Sequence, residues 1–118
     1  MKAIASAIRR FAVWQFKWQE RASILDINGQ EFERVLRSLE NSGWRQTYRY
    51  WGTDAGIDYD CIKLKRNGIR LKCEWDNFDE WSIEGPNKAV QALASELNLH
   101  AVAEWRWARW TQNPVKTQ

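Results

Sequence analysis

An Asn67-Gly68 dipeptide sits between two runs of alternating side chains, residues 57–65 and 69–75. A two-residue hairpin turn needs positive φ at both central residues, and Asn-Gly meets that need at the least steric cost. The turn length then fixes the pairing. Lys65 falls opposite Arg70, Leu64 opposite Leu71, Lys63 opposite Lys72, Ile62 opposite Cys73 and Cys61 opposite Glu74. Because strand side chains alternate with a period of two, this register sorts every residue of both strands between two faces.

Strands extend to either side of that hairpin. The aromatic-rich run from Trp44 to Trp51 reads as a strand ended by the loop 52–56. A second turn near Asn77-Phe78-Asp79 brings Trp81 back opposite Trp75, Ile83 opposite Cys73 and Glu84 opposite Lys72. The expectation is a four-stranded antiparallel meander.

Helical patterns flank it. Ile4, Ile8, Phe11, Trp14, Trp18, Ala22 and Leu25 recur at spacings of three and four, which predicts a long first helix over residues 2–25. Its other side mixes Lys2, Arg9, Val13, Phe16 and Glu20. Asn28 and Glu31 have capping-box spacing, Phe32, Val35, Leu36 and Leu39 form a stripe, and Gly43 supplies a left-handed stop, so a second helix is expected over 29–42. Gly85-Pro86 is read as breaking the sheet and starting a third helix, with Val90, Leu93, Ala94 and Leu97 buried and Asn98 as its stop. Residues 100–110 are read as a short aromatic helix. The fold class is therefore α+β, with helices on one sheet face in the order α-α-β-β-β-β-α-α, forming one domain over 1–111 with a tail at 112–118. With 118 residues, the chain has room for one core.

Composition narrows the function classes. No apolar run approaches the ~18 residues a membrane span needs. Two cysteines, Cys61 and Cys73, fall on opposite faces of the hairpin and lack the spacing of a metal or redox motif, which points to free thiols in a reducing, cytoplasmic setting of bacterial type. His100 is the single histidine, and the acidic residues at 54, 58 and 60 or at 76, 79 and 80 lack the spacing of a calcium loop. No catalytic residue, metal site or cofactor is assigned, and enzymatic activity is the less favoured reading.

The net charge of +3 hides a sign change: residues 44–73 carry +4 and residues 74–84 carry −5. Lys65, Arg66 and Arg70 crowd the hairpin tip and are candidates for binding an anion, nucleic acid included, with Tyr48 or Trp51 stacking on bases. The adjacent Glu74, Asp76, Asp79, Glu80 and Glu84 argue against phosphates there. Alternation also places Asp60 on the inner face beside Tyr48, Trp75 and Trp81, a candidate ligand pocket, since a carboxylate among aromatic rings must be paired, hydrogen-bonded or protonated.

Nine tryptophans exceed what one small core readily encloses while giving each ring N–H a partner. Surplus indoles anchor interfaces. The leading expectation is a non-catalytic adaptor, inhibitor or immunity-type protein that binds a protein partner or self-associates through Val13, Phe16, Trp51, Trp107 and Trp110. Nucleic-acid binding through the basic hairpin is the first alternative, and a small enzyme or ligand-binding protein with a pocket at Asp60 is the second.

Overall fold

The computed structural model describes residues 20–103 and Arg106. The described chain is α+β, a six-stranded antiparallel sheet with two helices. In chain order these are β1 (Arg21–Ile27), α1 (Gly29–Asn41), β2 (Arg45–Arg49), β3 (Tyr59–Arg66), β4 (Ile69–Asp76), β5 (Trp81–Pro86), α2 (Asn87–Leu97) and β6 (Ala101–Val102). Across the sheet the strands run β2-β3-β4-β5-β1-β6. The four-stranded meander is thus present as β2 to β5, and β1 and β6 extend it beyond β5.

The central hairpin follows from its turn. Asn67 and Gly68 take φ of 51° and 79°, and all five pairings expected from the turn length form, from Lys65–Arg70 to Cys61–Glu74. On β5 the pairs are Lys72–Glu84, Cys73–Ile83 and Glu74–Ser82, while Trp81 registers with Ile27 of β1. Helix α1 starts where the Asn28 side chain accepts the Glu31 N–H at 2.9 Å, and the chain leaves it through Gly43 at φ 95°. Asn98, left-handed at φ 56°, caps α2.

Three expectations are corrected. Residues 21–25 belong to β1, so the first helix does not reach Leu25; residues 1–19, with Val13 and Phe16, lie outside the described residues. The spacing of three between Ala22 and Leu25 imitates a helix, but on β1 Leu25 is only half-buried, and the core side chains are Ala22, Ile24 and, across a one-residue bulge with Asp26 at φ 60°, Ile27. Gly85 and Pro86 end β5 instead of breaking the sheet, and α2 begins at Asn87. Ala101 and Val102 pair with Ile24 and Ser23 as a short strand, not as the start of a helix. The remainder of that segment, with Trp107, Trp110 and the tail 112–118, lies outside the described residues except for Arg106.

One core joins the helices to the inner sheet face. Phe32, Val35 and Leu39 from α1 and Val90, Leu93 and Ala94 from α2 pack with Ala22, Ile24, Ile62, Leu64, Leu71, Cys73 and Ile83. Phe32 stacks on Trp81 with centroids 3.9 Å apart. Among the four described indoles, Trp44 and Trp81 are buried, Trp75 packs against the core and Trp51 is 85% exposed. No helix among the described residues is long and apolar enough to cross a membrane.

Candidate functional site

Register decides what the outer sheet face carries. Lys63 and Lys65 alternate with the buried Ile62 and Leu64, and Arg70 and Lys72 alternate with Leu71 and Cys73, so four cations share the side away from the helices. They occupy two directly opposed like-charge pairs, an arrangement that is mildly destabilising in itself. Beside them β2 bulges: Gln46 pairs with Leu64 but Tyr48 pairs with Lys63, so Thr47 is the extra residue. Tyr48 therefore stands on the outer face, 39% exposed, with the Lys63 ammonium 5.2 Å from its ring centre. Arg21, Thr47, Tyr48, Lys63, Lys65, Arg70 and Lys72 line an open groove of about 580 Å³.

The same face changes character toward the other end. Glu74 is buried, accepts the Tyr59 hydroxyl at 2.8 Å and pairs with Lys72 at 3.2 Å. Burial, reinforced by that hydrogen bond, pushes the Tyr59 phenol well above its ordinary value. Asp76 lies 3.1 Å from the guanidinium of Arg106, which is 2% exposed and also donates to the carbonyls of Glu74, Asp79 and Glu80 and to the Ser82 hydroxyl. Glu84 accepts from Arg21 at 3.2 Å. The acidic residues that argued against an anion thus have cation partners at positions 74, 76 and 84. In contrast, Lys63, Lys65 and Arg70 have no carboxylate partner among the described residues.

Of the three anion-binding candidates, the structure brings Lys65 and Arg70 together and separates Arg66. Arg66 lies over the Trp44 ring at 4.8 Å and donates to the Ser42 carbonyl, away from the groove. Lys63, Lys72 and Arg21 join instead. Arg21 was hidden by the helical reading of its segment; the alternation of Ala22 and Ile24 was the signal that would have placed it on a strand.

The pocket expected around Asp60 is only partly assembled. Asp60, Trp75 and Trp81 share the inner face, with Asp60 registered opposite Trp75, but the bulge carries Tyr48 to the other side. Arg49 takes its place. Asp60 is 5% exposed and accepts from Arg49 Nε at 3.2 Å, Arg49 Nη2 at 2.8 Å and the Cys61 N–H at 2.8 Å. Its oxygens are committed to structural donors. A groove of about 470 Å³ nearby is lined by Phe32, Leu36, Arg49, Ile62 and Trp81.

Trp51 lies in the β2–β3 loop, at the end of the sheet opposite the Asn67-Gly68 turn. Ile57 in the same loop is 66% exposed, and the loop is tied to the β4–β5 turn by Asn77 donating to Asp58 at 2.6 Å. Both thiols are free and buried, and burial pushes both upward in pKa. No group of three or more His, Cys, Asp or Glu side chains arranged to hold a metal occurs among the described residues. Comparison with protein-family models, curated proteins and solved structures finds no match to this chain.

Proposed function

We propose that the protein is a non-catalytic binding module that holds an anionic macromolecule on the basic half of its outer sheet face. The carrying observation is an asymmetry of charge pairing. Glu74, Asp76 and Glu84 on this face are neutralised from within, whereas Lys63, Lys65 and Arg70 surround one groove with no carboxylate partner among the described residues. Cross-strand like charges cost stability, and a bound polyanion would offset that cost.

Retention on a sulfated polysaccharide such as heparin tests the reading. The protein should bind at low salt and elute as ionic strength rises, because cations on a polyanion act through counterion release. A Lys63→Gln, Lys65→Gln, Arg70→Gln variant should keep the wild-type circular dichroism spectrum and lose retention. Equal retention of folded wild-type and triple variant would overturn the assignment.

A second reading, a protein partner or self-association through the β2–β3 loop, is supported by the exposure of Trp51 and Ile57. A large indole bare to water is a preferred interface anchor. Sedimentation of wild-type and Trp51→Ala protein tests it: a concentration-dependent oligomer lost in the variant supports self-association, and two identical monomers count against it.

A further inference from the structure

Resting on the anion-binding reading above, we propose that the occupant of the outer groove is single-stranded RNA, with one base stacked on Tyr48 and the flanking phosphates held by Lys63, Lys65 and Arg70. Charge alone would suit any polyanion. The aromatic ring and the shape of the surface select among them.

Lys63 and Lys65 are two residues apart on one strand, as are Arg70 and Lys72 on the next. Same-face neighbours along a strand lie about 6.5–7 Å apart. The cations therefore form two short parallel rows that a singly charged backbone can follow. Double-stranded nucleic acid is read by an element that enters its grooves, such as a helix or a free two-stranded ribbon. The β3–β4 hairpin is not free: β2 pairs with it as far as Lys65, and β5 pairs on its other side. The basic groups line a concavity instead of projecting from a ridge.

Tyr48 distinguishes a nucleic acid from an acidic peptide. A carboxylate chain has no use for a π-face, whereas every base has one, and stacking on an exposed aromatic is tolerant of sequence. The Thr47 bulge is what turns Tyr48 outward into the basic groove. Thr47 itself lines the groove with a hydroxyl that donates to the Lys63 carbonyl at 3.4 Å. It can donate to or accept from a ribose 2′-OH, the group that separates RNA from DNA. Lys63, whose ammonium lies over the Tyr48 ring, keeps a positive charge where a base on the other ring face and its phosphate meet.

Fluorescence anisotropy with a labelled, unstructured RNA of about 12 nucleotides tests this, a length within the range that single-strand-binding surfaces cover. The comparison probes are the DNA of the same sequence, the RNA duplex and polyglutamate. Single-stranded RNA should bind tightest. Its affinity should fall with salt, and Lys63→Gln should reduce the slope of log K against log salt by about 0.7. Tyr48→Ala should weaken binding about 5- to 150-fold, the loss of one base stack, while Tyr48→Phe keeps the ring and the affinity. Tighter binding of duplex, DNA or polyglutamate, or an unchanged affinity in folded Tyr48→Ala, overturns this proposal and leaves the anion reading standing. Failure of every polyanion to bind at low salt overturns both.

Discussion

Arg49 and Asp60 meet across β2 and β3 in a two-pronged contact, Nη2 to Oδ2 at 2.8 Å and Nε to Oδ1 at 3.2 Å. The partners differ in setting: the Asp60 side chain is buried and the Arg49 side chain is about half open to water. The carboxylate needs the contact more than the guanidinium does, because a buried acceptor stripped of its donors bears its full desolvation cost.

Arg49→Met should therefore destabilise the fold by about 1–3 kcal/mol, the Cys61 N–H being the one donor left to Asp60 among the described residues. Adding Asp60→Leu should recover part of that loss, since an apolar pair of similar volume carries no stranded charge. Urea unfolding reads both effects as midpoint shifts at constant slope. A single variant as stable as wild type would mean that the main-chain contact alone holds Asp60.

Arg106 ties the β4–β5 turn to the strands on either side of it. Its guanidinium reaches three carbonyls, one hydroxyl and the Asp76 carboxylate, with almost no exposure. Arg106→Ala leaves that carboxylate without its cation in a buried site, and the expected cost is about 3–5 kcal/mol. Arg106→Lys restores the charge but not the planar fork, so it should recover only part of the loss. Denaturant titration of the two variants checks the order. An alanine variant within experimental error of wild type would refute the role.

The parts of the fold governed by local chemistry could be read from the chain. Asn67-Gly68 set the β3–β4 register, Asn28 and Gly43 bounded α1, and Asn98 ended α2, because each of these residues answers a backbone requirement within a few positions. The failures have two causes. Ala22 and Leu25 continued a three-and-four spacing into what is a strand, and the extra Thr47 reversed Tyr48, so that the groove gained an aromatic ring and Asp60 lost one. A one-residue slip flips every later side chain and leaves no compositional mark. Arg106 was invisible for a different reason: its contacts lie 24 to 32 residues away in the sequence, and nothing near position 106 announces them.

The thiols give the fold an alkaline limit. In the unfolded chain a cysteine releases its proton near its ordinary value of 9.0, but burial holds the Cys73 proton well above that, and burial raises Cys61 too. The folded state thus binds more protons than the unfolded one above about pH 9, and stability must fall as pH rises. Below the ordinary thiol range the contribution is complete and constant. The slope should approach about 1.4 kcal/mol per pH unit for each thiol retained, and Tyr59, raised in the same direction, adds to it above pH 10. Unfolding free energies from pH 7 to 11 measure the curve, and Cys73→Ala should flatten it. A thiol reagent at pH 8 should leave both cysteines unmodified until denaturant is added; prompt labelling of Cys73 in the folded protein would contradict the burial argument.

Gly85 closes the seam between β5, β4 and α2. A Cβ at this position would stand 2.6 Å from Leu71 Cδ2, 3.1 Å from the Arg70 carbonyl oxygen and 3.5 Å from Val90 Cγ2. The leucine tip can rotate away, but the carbonyl belongs to the β4 backbone and can yield only by moving the strand. Gly85→Ala should accordingly cost about 1–3 kcal/mol, in the range of overpacked cores. Because the shifted segment carries Arg70 and Lys72, the same substitution should also weaken heparin retention relative to Gly29→Ala, where nothing lies within 4 Å of the added carbon. Thermal unfolding and salt elution of the two variants separate the outcomes: a Gly85→Ala protein that melts and elutes with wild type would show that Leu71 absorbs the methyl group without moving β4.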